Sequence, residues 1–198
     1  MGYSRIRPRT LPVDRDESAV AAFKEQFGRE FRDREVWFYD ETGVDNDGTP
    51  RRTWARRGST PVCFYRGNHI RENVVGAVNP CTGDLETLIM PYNDARVFQR
   101  FLDYFAQRTD NRPVIMVLDN ASWHKTKSLR WGNVTPVYLP AYSPDLNPIE
   151  ELWKVLKDRL CDPSPARTHD KLQRRIQKVL RSFFNNQYEV KSICKLHY

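Results

Sequence analysis

The feature that most restricts the fold is an unbroken apolar run, Val114 to Leu118, which follows Pro113 and ends at Asp119. A strand with one solvated face alternates apolar and polar residues, whereas a run that is apolar at every position suits a central strand covered on both faces. The run is also far shorter than the roughly 20 residues that a membrane-spanning helix needs. The sequence therefore predicts a buried strand near the centre of an α/β sheet.

Apolar spacing on either side of this run predicts further strands and helices. The predicted elements are a helix at 17–31, a strand at 35–40, a hairpin of 73–78 with 84–90, a helix capped by Asn93 or Asp94, the strand at 113–119, a short helix at 122–129, a strand at 134–139, a helix opened by Asn147 with Pro148 at its first position, and a last helix at about 169–186. This order predicts a mixed α/β layer fold. A right-handed crossover through the helix before 113–119 would lay that strand parallel to 35–40.

Three acidic residues fall at predicted element boundaries: Asp40, Asp119 and Glu150. If the two parallel strands are neighbours, Asp40 and Asp119 emerge side by side at the sheet edge where open α/β sheets bind ligands. Carboxylate oxygens suit hard cations such as Mg²⁺, and two such ions about 3.5–4 Å apart stabilise the attacking and leaving oxygens of phosphodiester cleavage. The three acids are therefore candidate ligands of a two-ion site.

Each acid also has a structural interpretation that the residues alone leave open. Asp40 and Asp119 both precede turn-forming residues and fit Asx turns. With Asn147 as the N-cap, Glu150 takes the third helical position, where glutamate commonly caps a helix. Helical phase distinguishes Glu150 from its neighbour, because at about 100° per residue Glu150 lies beside the apolar stripe and Glu151 faces solvent.

Charge points to a polyanionic partner. The chain has 32 Lys and Arg against 25 Asp and Glu, a formal net charge of +7. Segment 48–71 contains arginine and aromatic residues and no acid, a composition that suits phosphate contact with base stacking and equally fits a solvated hairpin. Its candidate DNA-binding residues are Arg51, Arg52, Trp54, Arg56, Arg57, Arg66 and Arg71. The last predicted helix has a second basic face, formed by Lys171, Arg174, Lys178 and Arg181.

The cysteines and the N-terminus indicate the compartment. None of the four cysteines forms a CxxC pair, and Cys194 with His197 makes only half of a zinc site, so we interpret them as reduced thiols. The first residues are basic and contain no apolar segment of the kind a signal peptide needs. We expect a cytoplasmic protein, associated with the nucleoid if it is bacterial.

Four ordered motifs resemble those of DDE transposases, most closely the bacterial insertion-sequence transposases related to the mariner superfamily. They are FYDETG at 38–43, RTWARRG at 52–58, VLDNASWH at 117–124 and YSPDLNPIEELW at 142–153. The resemblance covers about residues 35–160, and the last motif is highly specific.

The resemblance implies a ribonuclease H-like mixed sheet flanked by helices, with DNA strand cleavage and strand transfer supported by two Mg²⁺ or Mn²⁺ ions. It maps the catalytic and metal-binding triad onto Asp40, Asp119 and Glu150. Asn120 and His124 match family positions near the site, where a structural hydrogen-bonding role is the leading interpretation of His124. Transposon ends and target DNA are the implied partners, and a homodimer is one expected assembly.

These expectations divide the chain into a linker or arm with a short helix at 1–34, a catalytic domain at 35–186 and a C-terminal tail at 187–198. Only 39 residues precede Asp40, so we expect the end-recognition region of such enzymes on a separate domain or chain. Two other functions stay open: a ribonuclease H-type nuclease acting on RNA or RNA–DNA hybrids, and a domesticated DNA-binding protein without enzymatic activity.

Overall fold

The computed structural model describes residues 12–31, 33–46, 55–60, 62, 69–161, 166–196 and 198. Within these residues there are five strands and five α-helices. In chain order they are α1 (Glu17–Glu30), β1 (Val36–Asp45), β2 (Arg71–Val78), β3 (Leu85–Met90), α2 (Ala95–Arg108), β4 (Val114–Leu118), β5 (Val134–Tyr138), α3 (Ile149–Leu160), α4 (His169–Phe184) and α5 (Gln187–Ile193). The predicted alternation of strands and helices is confirmed.

The strands form one mixed sheet in the order β3-β2-β1-β4-β5. β2 and β3 are the predicted antiparallel hairpin. β1 lies antiparallel to β2 and parallel to β4, with Val36 opposite Ile115 and Phe38 opposite Val117. The predicted parallel pairing of 35–40 with 113–119 is therefore confirmed, and it brings Asp40 of β1 level with Asp119 at the C-terminal end of β4.

β1 is longer than the sequence predicts. The prediction ended this strand at Asp40 and interpreted residues 40–43 as a turn, which is wrong. The strand continues to Asp45, because β2 pairs with it over this whole stretch, with Asp40 opposite Gly76 and Asp45 opposite Arg71. Pairing with a buried neighbour outweighs the local turn preference.

Helices cover both faces of the sheet, as the apolar β4 run predicts. On one face, α2 packs its aromatic residues against Trp37 and Tyr39 of β1. On the other face, α1, α3, α4 and α5 form a larger core around Phe38 and Val117. The predicted tail at 187–198 contributes to this core, since Val190 and Cys194 are fully buried.

The helix ends correct three further predictions. Asp94 caps α2 by accepting a hydrogen bond from Val97 N at 2.8 Å, so one of the two candidate caps is confirmed. The predicted cap Asn147 is wrong, because its side chain donates to the Tyr39 carbonyl at 3.0 Å. Pro148 is not the first helical residue as predicted, since α3 begins at Ile149, and no side chain of the described residues caps it. The predicted helix at 122–129 shortens to a 3₁₀ turn, Ser122–Lys125, because Thr126 is extended.

Among the residues that the structure describes, no helix has both the length and the apolar composition to cross a bilayer. Cys81, Cys161 and Cys194 are free thiols. His197, the other half of the possible zinc pair, lies outside the described residues.

Gly83 allows the hairpin to touch α5. Its φ is +81°, and a Cβ there would lie 2.2 Å from the carbonyl oxygen of Gln187. We expect Gly83→Ala to lower the free energy of unfolding by about 2 kcal/mol, because alanine is strained in this conformation and the contact with α5 must open. Urea denaturation measures the change.

Gly28→Ala is the matched control. Gly28 lies within α1, and outside its chain neighbours and the local helix backbone nothing lies within 4 Å of its Cβ position, so alanine there should stabilise by about 1 kcal/mol through helix propensity. Equal stabilities for the two variants would contradict the proposed close packing of Gly83.

Candidate active site

Asp40 lies on β1, two residues beyond the last residue that pairs with β4. Its Oδ2 accepts a hydrogen bond from Trp153 Nε1 of α3 at 3.1 Å. Gly76 on β2 leaves room for the indole, since a Cβ there would lie 2.9 Å from the Trp153 ring. Burial, followed by the negative charges of Glu150 and Glu41, holds the Asp40 pKa well above its usual value. Asp40 is thus a confined carboxylate surrounded by like charge.

Asp119 directly follows β4 and is more exposed than Asp40. Its Oδ1 accepts a hydrogen bond from Ala121 N at 3.0 Å, which is the Asx-turn arrangement considered from the sequence. The same oxygen lies 2.8 Å from Nδ1 of His124. The adjacent imidazole of His124 lowers the Asp119 pKa, although partial burial opposes the shift. Asp119 is therefore ionised at neutral pH.

Glu150 is half-buried in the first turn of α3, whereas Glu151 is exposed and pairs with Lys154. This is the orientation that helical phase predicts. The capping interpretation of Glu150 is wrong, because a capping glutamate accepts from the backbone N–H of residue 147, and that N–H donates to the Pro144 carbonyl at 2.9 Å. Burial raises the Glu150 pKa, and the positive charges of Lys154 and Lys157 oppose the shift.

The three acids line a single cavity of about 380 Å³. The other lining residues are Asn120, Ala121, Leu139, Pro140, Ala141, Tyr142, Ser143, Pro144 and Asn147. Among the described residues, no three His, Cys, Asp or Glu side chains are grouped closely enough to hold one ion as they stand. The three carboxylates therefore line one cavity without converging on a single point.

The donor atoms of the cavity fit a hard divalent cation. Asn147 is 4% exposed, and its Oδ1 has no hydrogen-bond partner among the described residues. A buried amide oxygen without a donor is costly unless another group satisfies it. Together with the three carboxylates, it makes the cavity wall rich in oxygen atoms, which are the ligands that Mg²⁺ and Mn²⁺ prefer.

Glu41 is a site residue that sequence reasoning missed. Its Oε1 accepts hydrogen bonds from Tyr39 OH at 3.1 Å and Trp123 Nε1 at 3.2 Å, and lies 3.1 Å from His124 Nε2. The missed signal is strand alternation: if the strand continues past Asp40, Glu41 must point to the opposite face, on the side of Tyr39. Glu41 joins β1 to the loop after β4.

His124 is 1% exposed and lies between two carboxylates. Burial disfavours its charged form, but the interactions with Asp119 and Glu41 outweigh burial and raise the His124 pKa to about 9. The ring packs against Phe98 with centroids 4.5 Å apart. His124 is therefore a fixed imidazolium at neutral pH that supports Asp119 from behind the cavity.

Asn120 links the ends of β4 and β5. Its Nδ2 donates to the Leu139 carbonyl, and its Oδ1 accepts from Lys125 Nζ. Lys125 also lies over the Tyr138 ring, 4.9 Å from the centroid. Both polar ends of the Asn120 amide are thus engaged in shaping the cavity wall.

The candidate DNA-binding residues are placed only in part. Arg56 and Arg57 are exposed. Arg71 pairs with Asp45 at 3.2 Å and lies across Gly43 of the neighbouring strand. The remaining candidates lie outside the described residues: Arg51, Arg52, Trp54 and Arg66. The basic face predicted on α4 is exposed along the helix.

Removing Glu41 should destabilise the domain. Glu41→Ala leaves the donors of Tyr39, Trp123 and His124 without their acceptor, so we expect a loss of about 3 kcal/mol in the free energy of unfolding. Glu41→Gln keeps an acceptor oxygen and should cost about 1 kcal/mol. Denaturant titration measures both variants, with the exposed Glu25→Ala on α1 as the control expected to change stability by less than about 0.5 kcal/mol. A result in which all three variants matched the parent would contradict the role of Glu41.

The arrangement of fold and site agrees with a known family. Residues 35–173 match the DDE superfamily endonuclease family. The chain therefore belongs to the DDE superfamily endonucleases, and the resemblance seen in the motifs is confirmed.

Individual relatives agree with this assignment. The chain is 36% identical over 87 residues to an uncharacterised protein, y4pE/y4sA, of Sinorhizobium fredii, covering 43% of this chain and 64% of that protein. It is 24% identical over 131 residues to the uncharacterised 39 kDa protein of insertion element IS630 from Shigella sonnei, covering 63% of this chain and 38% of that protein. The chain thus spans less than two thirds of the length of these relatives.

The fold is also similar to that of a solved transposase. The Mos1 mariner paired-end complex with Mn superposes with a TM-score of 0.67 at 16% identity, over 98% of this chain and 66% of that chain. The predicted ribonuclease H-like mixed sheet flanked by helices is confirmed.

Proposed function

We propose that this chain is the catalytic domain of a DNA transposase, which cleaves DNA strands by hydrolysis and transfers them to a target. The observation that carries the proposal is the shared cavity of Asp40, Asp119 and Glu150, which come from three separate elements. The similarity to a protein of an insertion element and to the Mos1 transposase supports it. A domesticated binding protein would not need to keep this set of carboxylates together.

In this proposal Asp40, Asp119 and Glu150 hold Mg²⁺ or Mn²⁺, with two ions in the complete site. When bound, the metal supplies polarisation of the attacking water or 3′-hydroxyl and of the scissile phosphate. Asp40 gains most from a cation, because its buried charge is opposed by its neighbours. Asn147 Oδ1 offers a neutral oxygen on the same wall.

The chain's own residues fix how these ligands are presented. Trp153 orients Asp40 through Oδ2. His124 holds Asp119 through Oδ1 and is itself held by Glu41. Hydrogen-bonded partners that orient metal ligands are commonly as important for affinity as the ligands' own geometry. The nucleophile in this scheme is water or a DNA hydroxyl, so no covalent enzyme intermediate is required.

DNA binding in this proposal uses the exposed arginines of segment 48–71 and the basic face of α4. Phosphate contacts by such residues position DNA without reading its sequence. Transposon ends and target DNA are the proposed partners, a homodimer is the proposed assembly, and recognition of the end sequence is assigned to a separate domain or chain.

The triad predicts which single substitutions abolish the chemistry. Asp40→Asn, Asp119→Asn and Glu150→Gln should each weaken Mn²⁺ binding by at least about tenfold and abolish Mn²⁺-dependent nicking, because each removes a charged oxygen ligand. Calorimetric titration measures Mn²⁺ binding. Nicking is measured on labelled duplex DNA, RNA–DNA hybrid and RNA. Preference for hybrid or RNA would favour the ribonuclease alternative.

Glu151→Gln is the matched control. Glu151 is adjacent in sequence but exposed, so its substitution should leave both Mn²⁺ affinity and nicking near the parent values. If Glu151→Gln were inactive and Glu150→Gln active, the assignment of the third ligand would be wrong.

The basic segment predicts a change in salt dependence. Replacing Arg51, Arg52, Arg56 and Arg57 together by glutamine should weaken duplex binding and flatten the plot of log affinity against log salt by up to about four phosphate contacts. Fluorescence anisotropy over a salt series measures the slope. Arg29→Gln, an exposed arginine on α1, is the control, and an unchanged slope in the fourfold variant would assign the segment to a solvated surface.

A further inference from the structure

The turn that delivers Glu150 to the cavity depends on long-range contacts. A 3₁₀ turn, Pro144–Leu146, connects the cavity wall to α3. No side chain among the described residues caps the N-terminus of α3, so the first helical turn lacks the usual local anchor. The position of Glu150 must therefore be fixed by contacts from elsewhere in the fold.

Among the residues that the structure describes, the following contacts hold this turn. Asn147 Nδ2 donates to the Tyr39 carbonyl at 3.0 Å, immediately before Asp40. Tyr198 OH donates to the Leu146 carbonyl at 2.7 Å. On the outer side, Asp145 accepts two hydrogen bonds from the guanidinium of Arg15, one to each carboxylate oxygen. Arg15 is 130 positions away in sequence.

The ion pair of Arg15 with Asp145 is more confined than an ordinary surface pair. The Arg15 side chain is only 5% exposed, and Asp145 is 31% exposed. Arg15 Nε also lies 2.7 Å from Glu17 Oε1. The hydrogen bond to Asp145 raises the Arg15 pKa, although burial opposes the shift. A two-pronged arginine–carboxylate contact fixes orientation as well as distance.

Arg15 is itself anchored to the body of the domain. The next residue, Asp16, caps α1 by accepting from Ser18 N at 2.9 Å. Farther along α1, the Phe27 and Tyr198 rings meet edge to face with centroids 5.3 Å apart. The contacts of Arg15 with Asp145 and of Tyr198 with Leu146 therefore both come from residues that are packed together with α1.

We propose that Arg15 is a positioning residue for the metal site: through Asp145 it holds the 144–146 turn, and so Glu150, in place. The docking of the segment before α1 thus sets the geometry of the catalytic cavity. This inference rests on the proposed function, because it takes Glu150 as a metal ligand. Arg15 touches no cavity residue that binds the metal, and it acts only through the turn.

The test compares Arg15→Gln, Asp145→Asn and the double variant. Each single variant should weaken Mn²⁺ binding about tenfold, the scale on which residues that orient a ligand act. The double variant should be no weaker than either single one, because both remove the same contact. Arg15→Lys keeps the positive charge but cannot make the two-pronged contact with Asp145, so it should recover part of the Mn²⁺ affinity.

A second readout needs no metal. In the metal-free protein, amide hydrogen exchange of residues 146–151 should quicken in Arg15→Gln, while exchange in α4 stays at the parent rate. A general loss of stability would quicken exchange in α4 as well and would count against the proposal. If Arg15→Gln does not fold, the same measurements on Arg15→Lys and Asp145→Asn decide. Arg29→Gln is the control for loss of a positive charge.

The outcomes separate the two proposals. If Glu150→Gln weakens Mn²⁺ binding while Arg15→Gln changes neither affinity nor exchange, the positioning role is wrong and the proposed function stands. If Glu150→Gln leaves Mn²⁺ affinity unchanged, the proposed metal site fails, and the exchange data alone decide whether Arg15 holds the turn.

Discussion

The parallel pairing of β1 with β4 is the contact on which the rest of the site depends. It ends at Phe38 opposite Val117, and in the same register Asp40 of β1 lies level with Asp119, which directly follows β4. β1 then continues beside β2 alone, and alternation places Asp40 and Glu41 on opposite faces. β1 thereby supplies two carboxylates: Asp40 lines the cavity, and Glu41 contacts Trp123 and His124 behind it.

Electrostatics explains why the cavity carboxylates have so many hydrogen-bonding and charged partners. Three carboxylates in one cavity repel one another. Burial, and to a smaller extent neighbouring negative charge, raises the pKa values of Asp40 and Glu150. The domain offsets part of the repulsion with neutral and cationic partners, Trp153 at Asp40 and His124 at Asp119. Proteins retain buried charges that repel one another where a cation or substrate relieves the repulsion. Groups with shifted pKa values accordingly cluster at functional sites.

Local patterns could predict the elements but not how far they extend or what their polar side chains contact. The apolar period of α2, the hairpin and the continuous run of β4 are local signals, and the structure confirms them. The extension of β1 past Asp40 depends on β2, and the role of Glu41 depends on Trp123 and His124, which are more than 80 residues away. No neighbouring residue encodes such contacts, so only the assembled fold reveals them.

Asn147 makes a long-range hydrogen bond in place of a local helix-capping one. As an N-cap it would stabilise α3 by about 1 kcal/mol. Instead its amide donates to the carbonyl of Tyr39, the residue before Asp40, and α3 begins without a side-chain cap. The hydrogen bond that the helix gives up thus ties α3 to β1, and with them Glu150 to Asp40. The uncapped N-terminus also directs the positive end of the helix dipole toward the first-turn acids, which partly offsets the charge that the cavity concentrates.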